Sequence, residues 1–144
     1  MDWKSIGIFA LAMSVIAQIV HTLEAMLTMG FYLDPAYFPL WSKIMMPAAG
    51  APPPEFMLLS FLFSLIAWAL FGFAFMSLGS AIREKDQVRK GLAFGSMIFL
   101  VAGLPMTMTM YLLISLPAGL LVSWMASGLV LYLVAGVIAA KIIK

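Results

Sequence analysis

Two ionisable side chains lie close together in an apolar stretch near the start of the chain. His21 and Glu24 are three residues apart, so they would be neighbours on a helix. An imidazole beside a carboxylate can hold and pass a proton near neutral pH. The pair could also supply two ligands to a metal ion, although other helices or a second subunit would have to complete the set. The structural interpretation is a hydrogen-bonded pair that fixes helix packing close to a membrane boundary.

The residues around this pair form a polar stripe on one side of a predicted helix. Polar groups in a membrane span usually face the protein interior or a wet cavity. We therefore expect His21 and Glu24 to point into the protein, with Gln18 oriented beside them. At roughly 100° per residue, five residues fall within an arc of about 80°: Ser14, Gln18, His21, Ala25 and Thr28. The best partners on other helices, by estimated depth, are Ser60, Ser123 and Tyr111.

A second group of candidate residues surrounds Pro105. A proline inside a helix removes one hydrogen bond, which here frees the carbonyl of Val101, so we expect a kink. The hydroxyls of Thr107 or Thr109 could compensate for that loss locally.

The same stretch is rich in methionine, a side chain that adapts to irregular gaps and to varied apolar ligands. Its depth is about that of His21. A kinked, methionine-lined helix there favours either an outward-open pocket or an adaptable packing defect. In the first case, Thr107 and Tyr111 would contact the ligand.

Composition places these residues in a membrane protein. The hydrophobic share of the 144 residues is 65% and the charged share only 10%, against roughly 25% charged in ordinary proteins. A soluble fold of this size cannot hide so much apolar surface. The chain has no cysteine and one histidine, so it cannot form a disulfide framework, a cysteine nucleophile or a bis-histidine haem site by itself.

Four stretches are long enough to cross a bilayer, which takes about 20 mostly apolar residues. Runs without Lys, Arg, Asp or Glu cover 5–23, 56–82 and 91–140, and Pro117 divides the last one. We predict an all-α integral membrane protein, a single domain over 1–144 built as an antiparallel four-helix bundle. Its predicted spans are about 5–29, 56–82, 91–115 and 118–141. The first could be a signal peptide, but its apolar pattern continues through Leu23, which favours a retained span.

The basic residues predict the orientation of the spans. Lys43 alone falls on one side of a four-span arrangement, and seven basic residues fall on the other: Lys4, Arg83, Lys85, Arg89, Lys90, Lys141 and Lys144. Both termini and the 83–90 loop should be cytoplasmic in a multi-pass protein of the plasma or cytoplasmic membrane. The net charge of +2 is too small for a nucleic-acid binder.

The 31–55 segment should lie at the outer interface. It holds six of the eight prolines and several aromatic residues of the kind that collect at a membrane boundary. Leu40–Met46 could form two turns of interfacial helix, and the prolines at 52–54 an extended polyproline stretch. The segment is either an aromatic anchor or a lid over the outer mouth of the bundle.

Small residues mark predicted packing faces on two spans. Gly119, Ser123 and Ser127 recur every fourth residue, as do Gly91 and Gly95, and such ridges let helix backbones approach closely. A second copy of the chain or another membrane protein could dock on them, and membrane lipid is the remaining expected partner.

The leading functional hypothesis is a small membrane protein that binds or transports a small or lipophilic molecule through an outward-facing intramembrane pocket. Its expected contacts are His21, Glu24, Gln18, Thr107 and Tyr111, with no cofactor and no metal. One alternative is a structural subunit of a larger membrane complex. The other is a membrane enzyme that uses the His21–Glu24 pair, which the small number of catalytic groups makes the weakest.

Overall fold

The computed structural model describes residues 2–47 and 51–143, and within these residues the chain is helical with no strand. Four helices are long and apolar enough to cross a membrane. They cover Trp3–Leu27, Pro54–Ala81, Gln87–Leu113 and Ala118–Ile142. Each bound lies within four residues of the predicted one. The largest difference is at Gln87, because Asp86 caps the helix there and accepts a hydrogen bond from the Arg89 amide.

Six α-helices make up these spans and one connection. They are α1 (Trp3–Leu27), α2 (Met29–Leu33), α3 (Pro54–Leu78), α4 (Gln87–Ile98), α5 (Leu104–Leu113) and α6 (Ala118–Ile142). A short 3₁₀ turn extends α3 through Ala81, and the third span consists of α4, a π-helical turn and α5.

Consecutive spans run in opposite directions. Gly91 lies against Gly136, and one turn later Gly95 lies against Tyr132, so α4 and α6 are antiparallel. The same holds for α1 and α3, because Phe9 lies beside Gly72 while Gln18 reaches back to Met57.

Both ends of the described chain therefore lie at one end of the bundle, where Ile6 and Ile143 share a core cluster. We call this the terminal end, and it also holds the 79–86 connection. The opposite end, which we call the loop end, holds residues 28–47 and 51–53 and the 114–117 turn. Of the described basic residues, Lys43 alone belongs to the loop end. Lys144, which was predicted to be cytoplasmic, lies outside the described residues.

The core is concentrated toward the terminal end. Phe94 is fully buried, and the rings of Phe71 and Phe75 meet its ring edge-to-face at centroid distances of 5.3 and 5.0 Å. Gly91, Gly95 and Gly136 let α4 and α6 touch backbone to backbone in the same region. By contrast, α5 and the first 17 residues of α3, 54–70, contain no buried side chain. The bundle is closely packed at the terminal end and open toward the loop end.

The third span contains a π-helical turn at Phe99–Gly103, in which the Leu104 amide donates to the Phe99 carbonyl. This turn ends two residues before Pro105, where the sequence predicted an irregularity. The predicted compensation is different, however. Thr107 donates to the Gly103 carbonyl and Thr109 to the Pro105 carbonyl, so neither hydroxyl bonds to Val101.

The loop-end segment packs on the bundle in short pieces. The helix α2 is followed by a 3₁₀ helix at Pro35–Leu40, whose N-cap residue is Asp34. The predicted helix over Leu40–Met46 is wrong, since only a single turn forms there, with the Ser42 carbonyl accepting from Met45 and Met46. The 3₁₀ helix takes the preceding residues instead, because Asp34 caps its first turn through the Ala36 amide. Pro53 has the φ of −70° and ψ of 158° of a polyproline conformation.

Candidate functional site

A buried carboxylate joins α1 to α6. Glu24 is 8% exposed, and its Oε1 accepts a 2.7 Å hydrogen bond from the Ser123 hydroxyl and a 3.0 Å bond from the Thr28 hydroxyl. Ser123 is one of the three partners expected from depth, and it is the one found here. Because a buried carboxylate without donors costs several kcal/mol, these two hydroxyls make the position tolerable.

Aromatic side chains cover this contact on the loop-end side. The Trp124 indole donates a 2.9 Å hydrogen bond to the Tyr32 hydroxyl, and the Tyr32 ring stacks on Trp41 at 5.1 Å. Burial raises the pKa of the Tyr32 phenol above its ordinary value. The donated Trp124 hydrogen bond opposes that rise, and the charge of Glu24 adds to it. Trp41 Nε1 is the one buried side-chain nitrogen or oxygen without a hydrogen-bond partner among the described residues.

The loop-end segment thus lies over the α1–α6 contact. Tyr32 and Met46 pack with Leu120 in a separate small cluster at this end. Residues 31–47 line neither of the two cavities that lie between the helices.

A cavity of about 390 Å³ opens between α1, α3 and α6. We call it the central cleft. Its side chains with hydrogen-bonding groups are His21 of α1, Trp68 of α3 and Tyr132 of α6, and the rest of its lining is apolar and includes Phe71, Ile98 and Gly128. The volume falls within the range of roughly 300–1,000 Å³ that is typical of small-molecule sites.

Incomplete helix packing creates the cleft. The contacts of Phe71 and Phe75 with Phe94 hold α3 against α4 only near the terminal end. Beyond them, toward the loop end, residues 54–70 of α3 bury no side chain. Gly128 adds to the cleft, because a Cβ atom at this position would meet nothing within 4 Å.

The polar groups of the cleft make no hydrogen bond to the protein. Within the described part of the chain, side-chain hydrogen bonds involve neither the ring nitrogens of His21, nor the indole N–H of Trp68, nor the hydroxyl of Tyr132. His21 is exposed, and Trp68 and Tyr132 are half-buried. Trp68 and Tyr132 are each the fifteenth residue of a 25-residue helix, counted from Pro54 and from Ala118. In a membrane, polar groups at such a depth would need a partner.

A second cavity, of about 440 Å³, lies between the third span and α6. We call it the side cavity. Its lining includes Met106 and Thr107 of α5, with Trp124 and Met125 of α6. Gly128 and Tyr132 line both cavities, so this part of α6 is the wall between them.

The predicted contact residues do not form a single site. His21 lines the central cleft, Thr107 the side cavity, and Glu24 lies in the α1–α6 contact. Gln18 donates a 3.8 Å hydrogen bond to the sulfur of Met57, and Tyr111 is 63% exposed outside both cavities.

His21 and Glu24 do not form the hydrogen-bonded pair that was considered. Residues three apart point about 60° away from each other on a helix. The edge of the α1–α6 contact falls between them, so Glu24 is buried in it while His21 faces the cleft.

Sequence reasoning did not include Trp68 or Tyr132 among the candidate contact residues. A signal for both was available. Tyr and Trp in membrane proteins usually collect at the two membrane–water boundaries, whereas these two lie near the middle of their predicted spans. A mid-span aromatic residue with a polar group is thus a candidate lining residue.

The predicted small-residue ridges pack within the chain itself. Gly91 and Gly95 lie against α6, Ser123 bonds to Glu24, and a Cβ at Gly119 would come within 3.0 Å of the Phe31 ring. These contacts take up much of the surface on which a partner was expected to dock.

In the described ranges, no three His, Asp or Glu side chains come together in a way that could hold a metal ion. Comparison of the chain with protein-family models, with curated proteins and with solved structures found no match.

Proposed function

We propose that this protein is a multi-pass membrane protein that binds a small lipophilic molecule in the central cleft. In this proposal both termini and the 79–86 connection are cytoplasmic. The observation that carries the binding proposal is the set of unused polar groups on His21, Trp68 and Tyr132, in an apolar cavity between helices that could each span a membrane. A bound molecule with both polar and apolar parts would satisfy these groups and cover the apolar wall.

The open packing toward the loop end supports a lateral route into the cleft. Since the 54–70 part of α3 buries no side chain, a lipophilic molecule could reach the cleft from the lipid along this helix without displacing a buried side chain. The same route would serve transport between the membrane and the loop-end side. Glu24 has no part in binding in this proposal, because Ser123 and Thr28 already occupy its Oε1.

Tryptophan quenching by bromododecane tests the proposal. Two chains are needed, one keeping only Trp68 and one keeping only Trp3, with the other tryptophans replaced by Phe. Trp3 is 61% exposed at the terminal end and reports simple partitioning into the micelle. We expect saturable quenching of Trp68 and a linear, unsaturated response of Trp3.

Gly128→Leu provides the matched structural test, with Gly7→Leu as its control. Neither position has an atom within 4 Å of a new Cβ, so neither change should disturb the fold, but only Gly128 lines the cleft. We expect Gly128→Leu to abolish the saturable quenching of Trp68 and Gly7→Leu to preserve it. Equal, linear quenching of Trp68 and Trp3 would overturn the proposal.

A further inference from the structure

The hydrogen-bonding groups of the central cleft are mainly donors. The indole nitrogen of Trp68 can only donate, the Tyr132 hydroxyl can donate or accept, and a neutral His21 ring has one nitrogen of each kind. They come from three different helices and line one cavity. Each of them can donate to an oxygen that accepts hydrogen bonds.

The absence of charged side chains from the cleft restricts the ligand further. Its lining contains no Lys, Arg, Asp or Glu. An ionised head such as a carboxylate or phosphate would lose its hydration there without gaining an opposite charge, which is costly in an apolar site. The acceptor oxygen should therefore belong to a neutral group, and carbonyl oxygen fits this requirement.

The walls of the cleft favour a flat ring. Trp68 stands edge-on to Phe71 and to Tyr132, at centroid distances of 5.7 and 6.0 Å. Aromatic rings arranged in this way offer both faces and edges to another ring. The 54–70 part of α3, which buries no side chain, leaves an apolar tail a way out toward lipid.

We infer that the central cleft binds a neutral lipid whose head is a flat ring with carbonyl oxygens, the quinone class. The head lies against Trp68, Phe71 and Tyr132, and the tail extends along α3 toward lipid. This inference rests on the proposed function, because it names the chemistry of the ligand for the same cavity.

Calorimetric titration in detergent micelles tests the class of ligand with three probes. Decylubiquinone has the ring, the carbonyl oxygens and a tail, decylbenzene has the ring and tail alone, and decanol offers a hydroxyl without a ring. The Gly128→Leu chain, whose cleft is filled, supplies the blank for partitioning into micelles. We expect decylubiquinone to bind at least tenfold more tightly than either other probe.

Two variants then locate the head. Tyr132→Phe keeps the ring that packs against Trp68, and His21→Gln keeps a polar side chain. We expect Tyr132→Phe to weaken decylubiquinone binding about three- to tenfold, the effect of losing an ordinary hydrogen bond, and to leave decylbenzene unchanged. Tyr111→Phe is the control, since Tyr111 is exposed outside both cavities. His21→Gln should also weaken the binding of decylubiquinone. If Tyr132→Phe does not fold, this second variant still tests the inference.

The outcomes separate the two proposals. If decylbenzene binds as well as decylubiquinone, the cleft binds lipophilic molecules without recognising a carbonyl group. The inference of a quinone-class ligand is then overturned, while the proposed function stands. Tighter binding of decanol would overturn it in favour of a hydroxyl-bearing ligand. Failure of all three probes to bind above the Gly128→Leu blank would remove the proposed function itself.

Discussion

The Ser123 hydroxyl donates a 2.7 Å hydrogen bond to Oε1 of Glu24, joining two helices from opposite ends of the chain, 99 positions apart. The contact fixes the register of α1 against α6. It also separates the two ionisable residues of the first span, since Glu24 is held in the helix contact and His21 is left facing the cleft.

Removing the donor should destabilise the bundle. We expect Ser123→Ala to lower the free energy of unfolding by about 1–3 kcal/mol, because it leaves a buried carboxylate with one donor fewer. Ser127→Ala is the control, as Ser127 lies one turn further on and its hydroxyl bonds only to the Trp124 carbonyl of its own helix. Thermal unfolding in micelles, followed by circular dichroism, measures both. Equal losses in the two variants would contradict a special role for the Glu24 contact.

Two glycines of α6 should respond in opposite ways to alanine. A Cβ at Gly136 would overlap the Gly91 backbone, so Gly136→Ala should cost about 1–3 kcal/mol through overpacking. A Cβ at Gly128 meets open space, so Gly128→Ala should gain up to about 1 kcal/mol of helix stability. The same unfolding measurement compares them, and a stable Gly136→Ala protein would argue against the close α4–α6 approach.

Alkaline pH should loosen the loop end through Tyr32. The folded-state pKa of Tyr32 is raised, so its contribution to stability is present below the unfolded value of about 10 and is lost as the pH rises through the folded value. We expect the unfolding temperature to fall above about pH 10, and Tyr32→Phe to remove that part of the fall while being less stable at every pH. An identical pH profile for Tyr32→Phe and the parent chain would show that Tyr32 does not titrate with unfolding.

The proposed orientation is open to a direct test, because the chain has no cysteine. Single cysteines at Ser42 and Gln87 lie at opposite ends of the bundle and are both exposed. With the basic residues on the cytoplasmic side, an impermeant thiol reagent applied to intact cells should label Ser42→Cys and leave Gln87→Cys unlabelled until the cells are opened. Labelling of Gln87→Cys alone would reverse the orientation.

The sequence was sufficient to predict the helices, because their limits depend on local chemistry. Charge-free runs mark the spans, and Pro117 separates the last two, with α6 beginning at the next residue. The partner of Glu24 was also within reach, since depth along a span depends on residue count alone. The helix predicted over Leu40–Met46 failed because the segment's shape depends on the Asp34 cap and on packing against Leu120.

The central cleft could not be predicted in the same way. It exists because two stretches of helix do not pack, and periodicity does not show which pairs of faces remain apart. Trp68 and Tyr132 stand out only as mid-span aromatic residues with a polar group, and that signal does not show which helix faces remain apart. The grouping of His21 with Thr107 and Tyr111 assumed one shared interior, whereas Gly128 and Tyr132 divide the space around α6 into two.

The backbone contact between Gly91 and Gly136 holds the first part of the third span firmly. This part is α4, whereas α5, ten residues or about 15 Å long, follows the π-helical turn and buries no side chain. A tilt of about 10° at that turn would move the tip of α5 by roughly 2–3 Å. Such a tilt would reshape the side cavity, whose lining includes Met106 and Thr107, and would leave the core at the terminal end packed.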